Sequence, residues 1–279
     1  MCKLKSAIIL KDRIFMPDYD SHSKMLEELG ITDNYINASK VFVRAELAPE
    51  NGDAFSDIDR WEFSVDQDIT PEWFDKKDCA ERMKKAVKEW AKTHIFVGQN
   101  ELKISHGENI FIKDCKNVDI YDNATVKSIY GNATVESIYD NATVEYISGN
   151  ATVKYIYDNA TVNNIRGNAT VESIYDNATV EYISGNATVK YIYNNATVNN
   201  ICGSATVEYI YGDATVKYIC DNATVKYICG DATVISSLYS KWNNSASLII
   251  SDNATFKDCY SKTIYQAGGW EFVKVTRGK

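Results

Sequence analysis

Proline is nearly absent: three occur in 279 residues, and all of them (Pro17, Pro49 and Pro71) fall in the first 71 positions. The remainder of the chain holds no residue that deletes a backbone donor, so nothing there forbids a long hydrogen-bonded ladder. No run of 18 apolar residues occurs, which leaves no candidate membrane-spanning helix. Near the start, only Ala7-Ile8-Ile9-Leu10 is continuously apolar, too short for the core of a cleaved export signal. A cytoplasmic location is therefore expected, with association with a virion as the alternative. Positive charge is in deficit, 30 Lys and Arg against 38 Asp and Glu, and the net charge of −8 argues against generic binding to nucleic-acid phosphates or an anionic membrane. The seven cysteines (2, 79, 115, 202, 220, 229 and 259) form no Cys-x-x-Cys pair and are odd in number. That pattern reads as reduced, apolar filler rather than as a disulfide framework or a zinc site. What the chain has in plenty is tyrosine, 19 residues, within an otherwise globular balance of 45% apolar and 24% charged residues.

The tyrosines belong to a repeat. From Tyr121 the chain reads YDNATVKSI, YGNATVESI, YDNATVEYI, SGNATVKYI and onward to Val234 without insertion, a period of nine residues. Thirteen Ala-Thr-Val triplets fall in register, ten of them preceded by Asn. Within each unit Ala and Val flank an outward Thr, as in a strand. An Ile three residues beyond the Val is expected to restore burial past a corner, and the Asp/Gly-Asn pair supplies turn chemistry. A unit so short cannot bury its own apolar face. Stacking the units into a parallel β-solenoid solves this, because each inward side chain then covers its equivalent in the next coil.

Charge sets the coil length, since equivalent positions in successive coils lie about 4.8 Å apart. With two units per coil, the seventh position reads Glu136, Lys154, Glu172, Lys190, Glu208, Lys226 in one column, a strict alternation of sign. Three units per coil would stack Lys127 on Lys154, and four would stack Glu145 on Glu181, both repulsive. The expected coil is therefore 18 residues. It aligns Tyr121, Tyr139, Tyr157, Tyr175, Tyr193 and Tyr211 in one column, and it places Cys202 within crosslinking reach of Cys220, with Cys229 on the other side.

The expected fold is mainly β: a small α+β N-terminal domain over 1–110, the solenoid over 111–256 and a C-terminal strand or cap over 257–279. In the first domain, strands are expected at Ser6–Leu10 with Arg13–Met16 as a hairpin, at the alternating Val41, Val43, Ala45 and Leu47, and at Trp61, Phe63 and Val65. Ser21 or Ser23 is expected to cap a short helix ending before Gly30. Asp78 with Glu81 is read as the capping box of a longer helix whose Met83, Val87, Trp90, Ala91 and His94 share a face.

At Asn-Ala-Thr-Val-x-x-Ile the sequence resembles uncharacterised bacterial and phage-associated proteins with tandem Asp/Gly-Asn-Ala-x-Val units behind an N-terminal segment, here Met1–Leu29 and Trp61–Val97. The resemblance covers nearly the whole chain and implies no particular activity. In part the repeat is also similar to calcium-binding nonapeptide repeats, though it lacks their Gly-Gly-x-Gly-x-Asp loop. It is similar too to pentapeptide repeats, whose acidic rods imitate DNA, though the period here is nine.

Catalytic candidates are few. Removal of Met1 would expose Cys2 as an N-terminal nucleophile, with Asp20 and His22 as base and orienter; a plain first strand and a helix cap account for the same residues. Asp66 and Asp68 with Glu72, near Trp61 and Trp73, read either as a carboxylate pair in an aromatic cleft or as a solvated turn before Pro71. His94 and His106 are too isolated to be offered as metal ligands. The column Asp122, Asp140, Asp158 and Asp176 brings like charges together, which water, Asn side chains or calcium would relieve; no cofactor is expected, and calcium is the one candidate. The six tyrosines of the first-position column are the candidate binding residues, for a protein or a glycan. The expected function is non-enzymatic: an N-terminal recognition domain on a rigid solenoid spacer or docking surface, with a protein partner. A DNA-mimicking inhibitor, a glycan-binding adhesin and a small enzyme using Cys2 are the rivals. Residues 111–279 carry a net charge of only −3, too little for a DNA mimic.

Overall fold

The structure is a computed structural model that describes residues 5–236, 248–258, 263–266 and 269–275. The chain divides into two units, Met1–Phe96 and Val97–Lys279.

The first unit is built on a four-stranded antiparallel sheet with strand order β2-β1-β3-β4, from β1 (Lys5–Leu10), β2 (Ile14–Phe15), β3 (Phe42–Ala48) and β4 (Glu62–Val65). Three helices accompany it: α1 (His22–Glu28), α2 (Tyr35–Ala38) and α3 (Lys76–His94). Ser21 caps α1 through its hydroxyl, which accepts from the Lys24 amide, as expected. The cap of α3 is not Asp78 but Asp75, whose carboxylate accepts the Asp78 amide at 2.8 Å; Asp78 falls in the first turn, where its charge favours the helix dipole. The buried face of α3 is Cys79, Met83, Val87, Trp90 and His94, with Ala91 at its margin. β3 begins at Phe42, one residue later than expected: Val41 is exposed, Phe42 is buried, and the alternation holds at the buried Val43, Ala45 and Leu47. Ile8, Leu10, Met25, Leu26 and Phe42 form one core cluster, joined by Phe15, Tyr19 and Leu29. Trp61 precedes β4 and is buried, its indole N–H donating to Ser56.

The second unit is a parallel β-solenoid of about eight coils with an 18-residue repeat. Two strands per coil generate two sheets, of eleven and ten strands. From Thr125 to Ile228 residue i pairs with i+18, as in Thr143↔Thr161, Val144↔Val162 and Ile147↔Ile165 of the first sheet, and Thr152↔Thr170, Val153↔Val171 and Ile156↔Ile174 of the second; towards the ends the step changes, as in Leu102↔Val118 and Thr233↔Thr255. Ala, Val and Ile of all thirteen repeats up to Val234 are completely buried wherever they occur. Each fully buried Val or Ile contributes roughly 1.5–3 kcal/mol. No corner separates Val from Ile. The strand runs unbroken from Thr to Ile, as in Thr152–Ile156, and strict alternation lapses instead at positions seven and eight, which both face outward. The units thus offer three outward columns per strand: Thr, the charged seventh position and the eighth.

The turn occupies positions one to three. Its backbone is also laddered: Tyr139 N–H donates to Ile120 O at 3.0 Å, Asn141 N–H to Asp122 O at 2.9 Å and Thr143 N–H to Ala124 O at 2.9 Å, while Ala142 N–H closes the turn on Tyr139 O. Position two is left-handed, with φ near +54° in Asp140, Asp158 and Asp176 and +67° to +73° in Gly149, Gly167 and Gly185, which explains why only Gly, Asp and Asn occupy it.

The solenoid starts earlier than residue 111. Asn100–Ile104, Ile110–Lys113 and Lys116–Ile120 already pair in parallel with the strands that follow, and their buried Leu102, Ile104, Ile110, Ile112, Val118 and Ile120 supply the core without the repeat motif. At the other end the parallel ladder is closed by reversal: Thr263–Gln266 pairs antiparallel with Thr255–Asp258, and Gly269–Val275 with Leu248–Asp252. Each sheet therefore ends on an antiparallel strand, which caps the parallel stack.

Candidate functional site

Two regions hold the sequence-derived candidates. In the N-terminal unit, β1 begins with Lys5, a fully buried lysine in an apolar strand. Its ammonium donates to Pro17 O at 2.5 Å, lies 3.9 Å from Asp20 and sits 5.0 Å from the centre of the Trp90 ring. Burial pushes the Lys5 pKa down, and Asp20 and Asp18 counter part of that. Asp20 also accepts the Ser6 amide at 3.1 Å, so it ties the loop before α1 to β1. His22, the first residue of α1, turns elsewhere: Nδ1 lies 3.2 Å from Asp66 Oδ2, and Nε2 3.2 Å from Ala45 O. The carboxylate that orients His22 is therefore Asp66. Cys2 lies outside the described residues. His94 is held by Trp90 O and by Asp18, and His106 meets Ser105 Oγ.

Asp66 and Asp68 do not share a strand; both follow β4, and they line a cavity of about 440 Å³ with Asp33, Tyr35, Arg44 and Gln67. Arg44 is paired with Asp33 and accounts for the positive charge in this wall. The aromatic cleft expected around these acids is not formed by Trp61, which is buried against Ser56. Glu72 and Trp73 instead line a second hollow with Ser39 and Lys40, of about 530 Å³, where the Trp73 indole N–H donates to Lys40 O. Arg44 and Glu46 went unremarked in the sequence. The signal was there: they are the two charged residues of β3 and alternate with its buried positions.

In the solenoid the first-position tyrosines stack as a continuous ladder. Ring centroids from Tyr121 through Tyr211 are 4.9–5.3 Å apart, with planes within 11° of parallel. The rings are half-buried, covered face to face by their own neighbours. Burial first, then adjoining tyrosines and aspartates, raises the pKa of Tyr139 and of Tyr175, the latter to about 12. A second aromatic column lies beside it at position eight of the second sheet, in the order Ser137, Tyr155, Ser173, Tyr191, Tyr209, Tyr227. Tyr191, Tyr209 and Tyr227 stack, and Tyr155 and Tyr191 meet Tyr175 and Tyr211 edge to face at 6.3 Å. Tyr155 is 39% exposed and Tyr227 36%. The opposite side is less aromatic: its first-position column continues as Ser148, Arg166, Ser184, Cys202 and Cys220.

Other outward columns are also internally partnered. Lys127 pairs with Glu145, Lys154 with Glu136 and Lys226 with Glu208, each across one coil. In the aspartate column two carboxylates accept the amide of the preceding coil, Asp122 N–H donating to Asp140 at 3.3 Å and Asp140 N–H to Asp158 at 3.4 Å, and Asp176 accepts from the Asn194 side chain at 2.9 Å. One expectation is corrected: the cysteines are not all reduced thiols. Cys202 and Cys220 stand in register one coil apart, with Cα atoms 4.8 Å apart, and form a disulfide; Cys79, Cys115 and Cys229 are free. The spacing of neighbouring strands brings the pair within bonding distance.

No family model, no curated protein and no solved structure matches the chain. Its class rests on its own geometry, that of a capped parallel β-solenoid behind a small α+β unit. Among the described residues no helix is long and apolar enough to cross a membrane.

Proposed function

We propose that this is a non-enzymatic binding protein in which the N-terminal unit recognises a protein partner and the solenoid is a rigid spacer and repetitive docking surface. The observation that supports the reading is the way the outward columns of the rod are satisfied coil by coil, Tyr on Tyr, Lys on Glu and Asp on amide. Such a surface is stiff and repetitive. The open, charged cavity around Arg44, Asp66 and Asp68 is suited to a specific polar contact. On the rod, the position-eight tyrosines extend aromatic surface toward solvent, which serves a protein or, in a second reading, a glycan.

Capture from native lysate by the full chain, with crosslinking and mass spectrometry, tests this. Two variants accompany it: Arg44→Ala with Asp68→Ala, and Tyr155→Ser with Tyr191→Ser, the latter using the residue that the same column carries at Ser137 and Ser173. Loss of one retained protein in the first variant supports recognition by the N-terminal unit. Loss only in the second moves recognition to the rod, and a glycan-array signal lost with it selects the glycan. Retention of the same proteins by both variants overturns the reading.

A further inference from the structure

We propose that His22, Glu46 and Asp66 form a binding site for a zinc-like divalent transition-metal ion, open on one side to the cavity of the N-terminal unit. The inference does not rest on the docking reading, although the site shares Asp66 with the cavity invoked there. One ligand atom from each of the three residues lies within 4.8 Å of the others. They come from three separate elements. His22 opens α1, Glu46 lies in β3 opposite Ser64 of β4, and Asp66 follows β4 with its amide bonded to Arg44 O at 2.9 Å.

The histidine carries the argument. His22 is 8% exposed, and both ring nitrogens face acceptors: Nε2 the carbonyl of Ala45, Nδ1 the carboxylate of Asp66. A carbonyl accepts only, so Nε2 bears the hydrogen, and in the neutral ring the Nδ1 lone pair is aimed at a carboxylate oxygen. Two acceptors 3.2 Å apart require a positive species between them, either a proton or a metal ion. The ring is oriented as metal-bound histidines are, with the far N–H donated to a backbone carbonyl and the near nitrogen free to ligate. The His22–Asp66 spacing of 3.2 Å is close to that around a tetrahedral ion, where bonds of about 2.0–2.2 Å set neighbouring ligand atoms roughly 3.3–3.6 Å apart, and Glu46, within 4.8 Å, would draw in on binding. Glu46 supplies a third ligand, which a proton does not need and a metal ion does. His94 meets Asp18 in a similar way, but no third ligand joins it among the described residues, and buried Lys5 already adds a positive charge beside Asp18. Asp66 also lines the cavity of about 440 Å³, so a fourth coordination position faces water or an anionic group of a bound molecule.

The test is zinc binding by the full chain at neutral pH, by calorimetry and by metal analysis after gel filtration. It is run without reductant, because Cys202, Cys220 and Asp221 form another cluster of ligand atoms that thiol reduction would release. One zinc per chain is expected, with affinity falling about tenfold or more in Asp66→Asn and in Glu46→Gln. Asp66 is exposed, so its amide variant leaves the core intact, and a Cys202→Ser, Cys220→Ser chain is expected to bind as the parent does. No zinc uptake, uptake unchanged in both carboxylate variants, or uptake lost only in the cysteine variant would each overturn the assignment.

Discussion

Replacing Gly185 discriminates between two explanations of why Gly and Asp share the second position of the repeat. Gly185 has φ +67°, and a Cβ built there would stand 2.9 Å from Gly167 N and 3.2 Å from Gly167 O. For alanine the left-handed backbone alone costs about 1–2 kcal/mol, and the approach to the neighbouring coil adds to it. The same clash should penalise aspartate, yet Asp140, Asp158 and Asp176 hold the same conformation in the other column. The difference lies in one orphan donor. In the Gly167 turn the amides of Arg166, Asn168 and Thr170 bond to the previous coil and that of Ala169 closes the turn on Arg166 O, which leaves the amide of Gly167 at position two. Where the next coil carries Asp, its carboxylate accepts that amide, as Asp221 does from Gly203 at 3.1 Å and Asp252 from Gly230 at 3.1 Å.

Gly185→Asp is therefore expected to recover about 1 kcal/mol of what Gly185→Ala loses, through a charge-assisted hydrogen bond from Gly167 N–H. Asp also tolerates the left-handed region better than Ala does. Gly185→Val, branched at the clashing carbon, should be worst. Urea unfolding of the four chains gives the order Gly, Asp, Ala, Val by midpoint at constant slope. Hydrogen exchange supplies the local readout, since a bond of that strength slows opening at the Gly167 amide about fivefold in the Asp variant. An Asp variant as destabilised as Ala, with Gly167 exchange unchanged, would refute the orphan-amide account and leave glycine's small size as the whole explanation.

The tyrosine ladder sets an alkaline limit: Tyr139, Tyr157, Tyr175, Tyr193 and Tyr211 hold their protons more tightly folded than unfolded, so their stabilisation is complete below about pH 10 and is lost as pH rises above it, for Tyr175 toward about 12. Spectrophotometric titration should show a late-ionising class of tyrosines, diminished in Tyr175→Phe; a single class near pH 10 would contradict the ladder. Cys202 and Cys220 should resist alkylation until reduced, and Cys220→Ser should lower stability by up to about 3 kcal/mol, the scale for a bridge closing a loop of this length. Ready labelling of both in the untreated chain would count against the bridge.

The solenoid was legible because its determinants are periodic and local. The alternation of Glu136, Lys154 and Glu172 sufficed to choose 18 residues per coil, and the register Val135↔Val153↔Val171 has that spacing. Legibility ended where the motif ended. Asn100–Ile104 stacks into the same sheet through Leu102 and Ile104, but two inward residues without the Ala-Thr-Val signature look like any short strand. The corner expected between Val and Ile is absent for another reason: a spacing of three suggests a turn, whereas outward placement of positions seven and eight absorbs the extra residue inside the strand. In the N-terminal unit, pairings such as His22 with Asp66 join residues 44 apart in sequence, and no local pattern encodes them. Asp20, two residues from His22, was the nearer partner in sequence; the helix start at His22 and the strand end before Asp66 decide otherwise.

The tyrosine columns show how a repeat separates stability from recognition. A nine-residue unit placed twice per coil gives two independent columns for every position, so the two faces are free to diverge while the Ala-Val-Ile interior stays constant. The first-position column on one side kept tyrosine through six coils, and ring stacking at 4.9–5.3 Å gives each member a structural reason to persist. On the other side the same position drifted to Ser, Arg and Cys, and one of its neighbouring pairs became a covalent bridge. The first-position tyrosines are engaged face to face, and a partner reaches only their edges. Position eight is different: Tyr155 leans across Ser173 onto Tyr175 and stays exposed, so its ring is available without unstacking the ladder. Binding that requires an aromatic face should therefore depend on Tyr155 before it depends on the ladder beneath it.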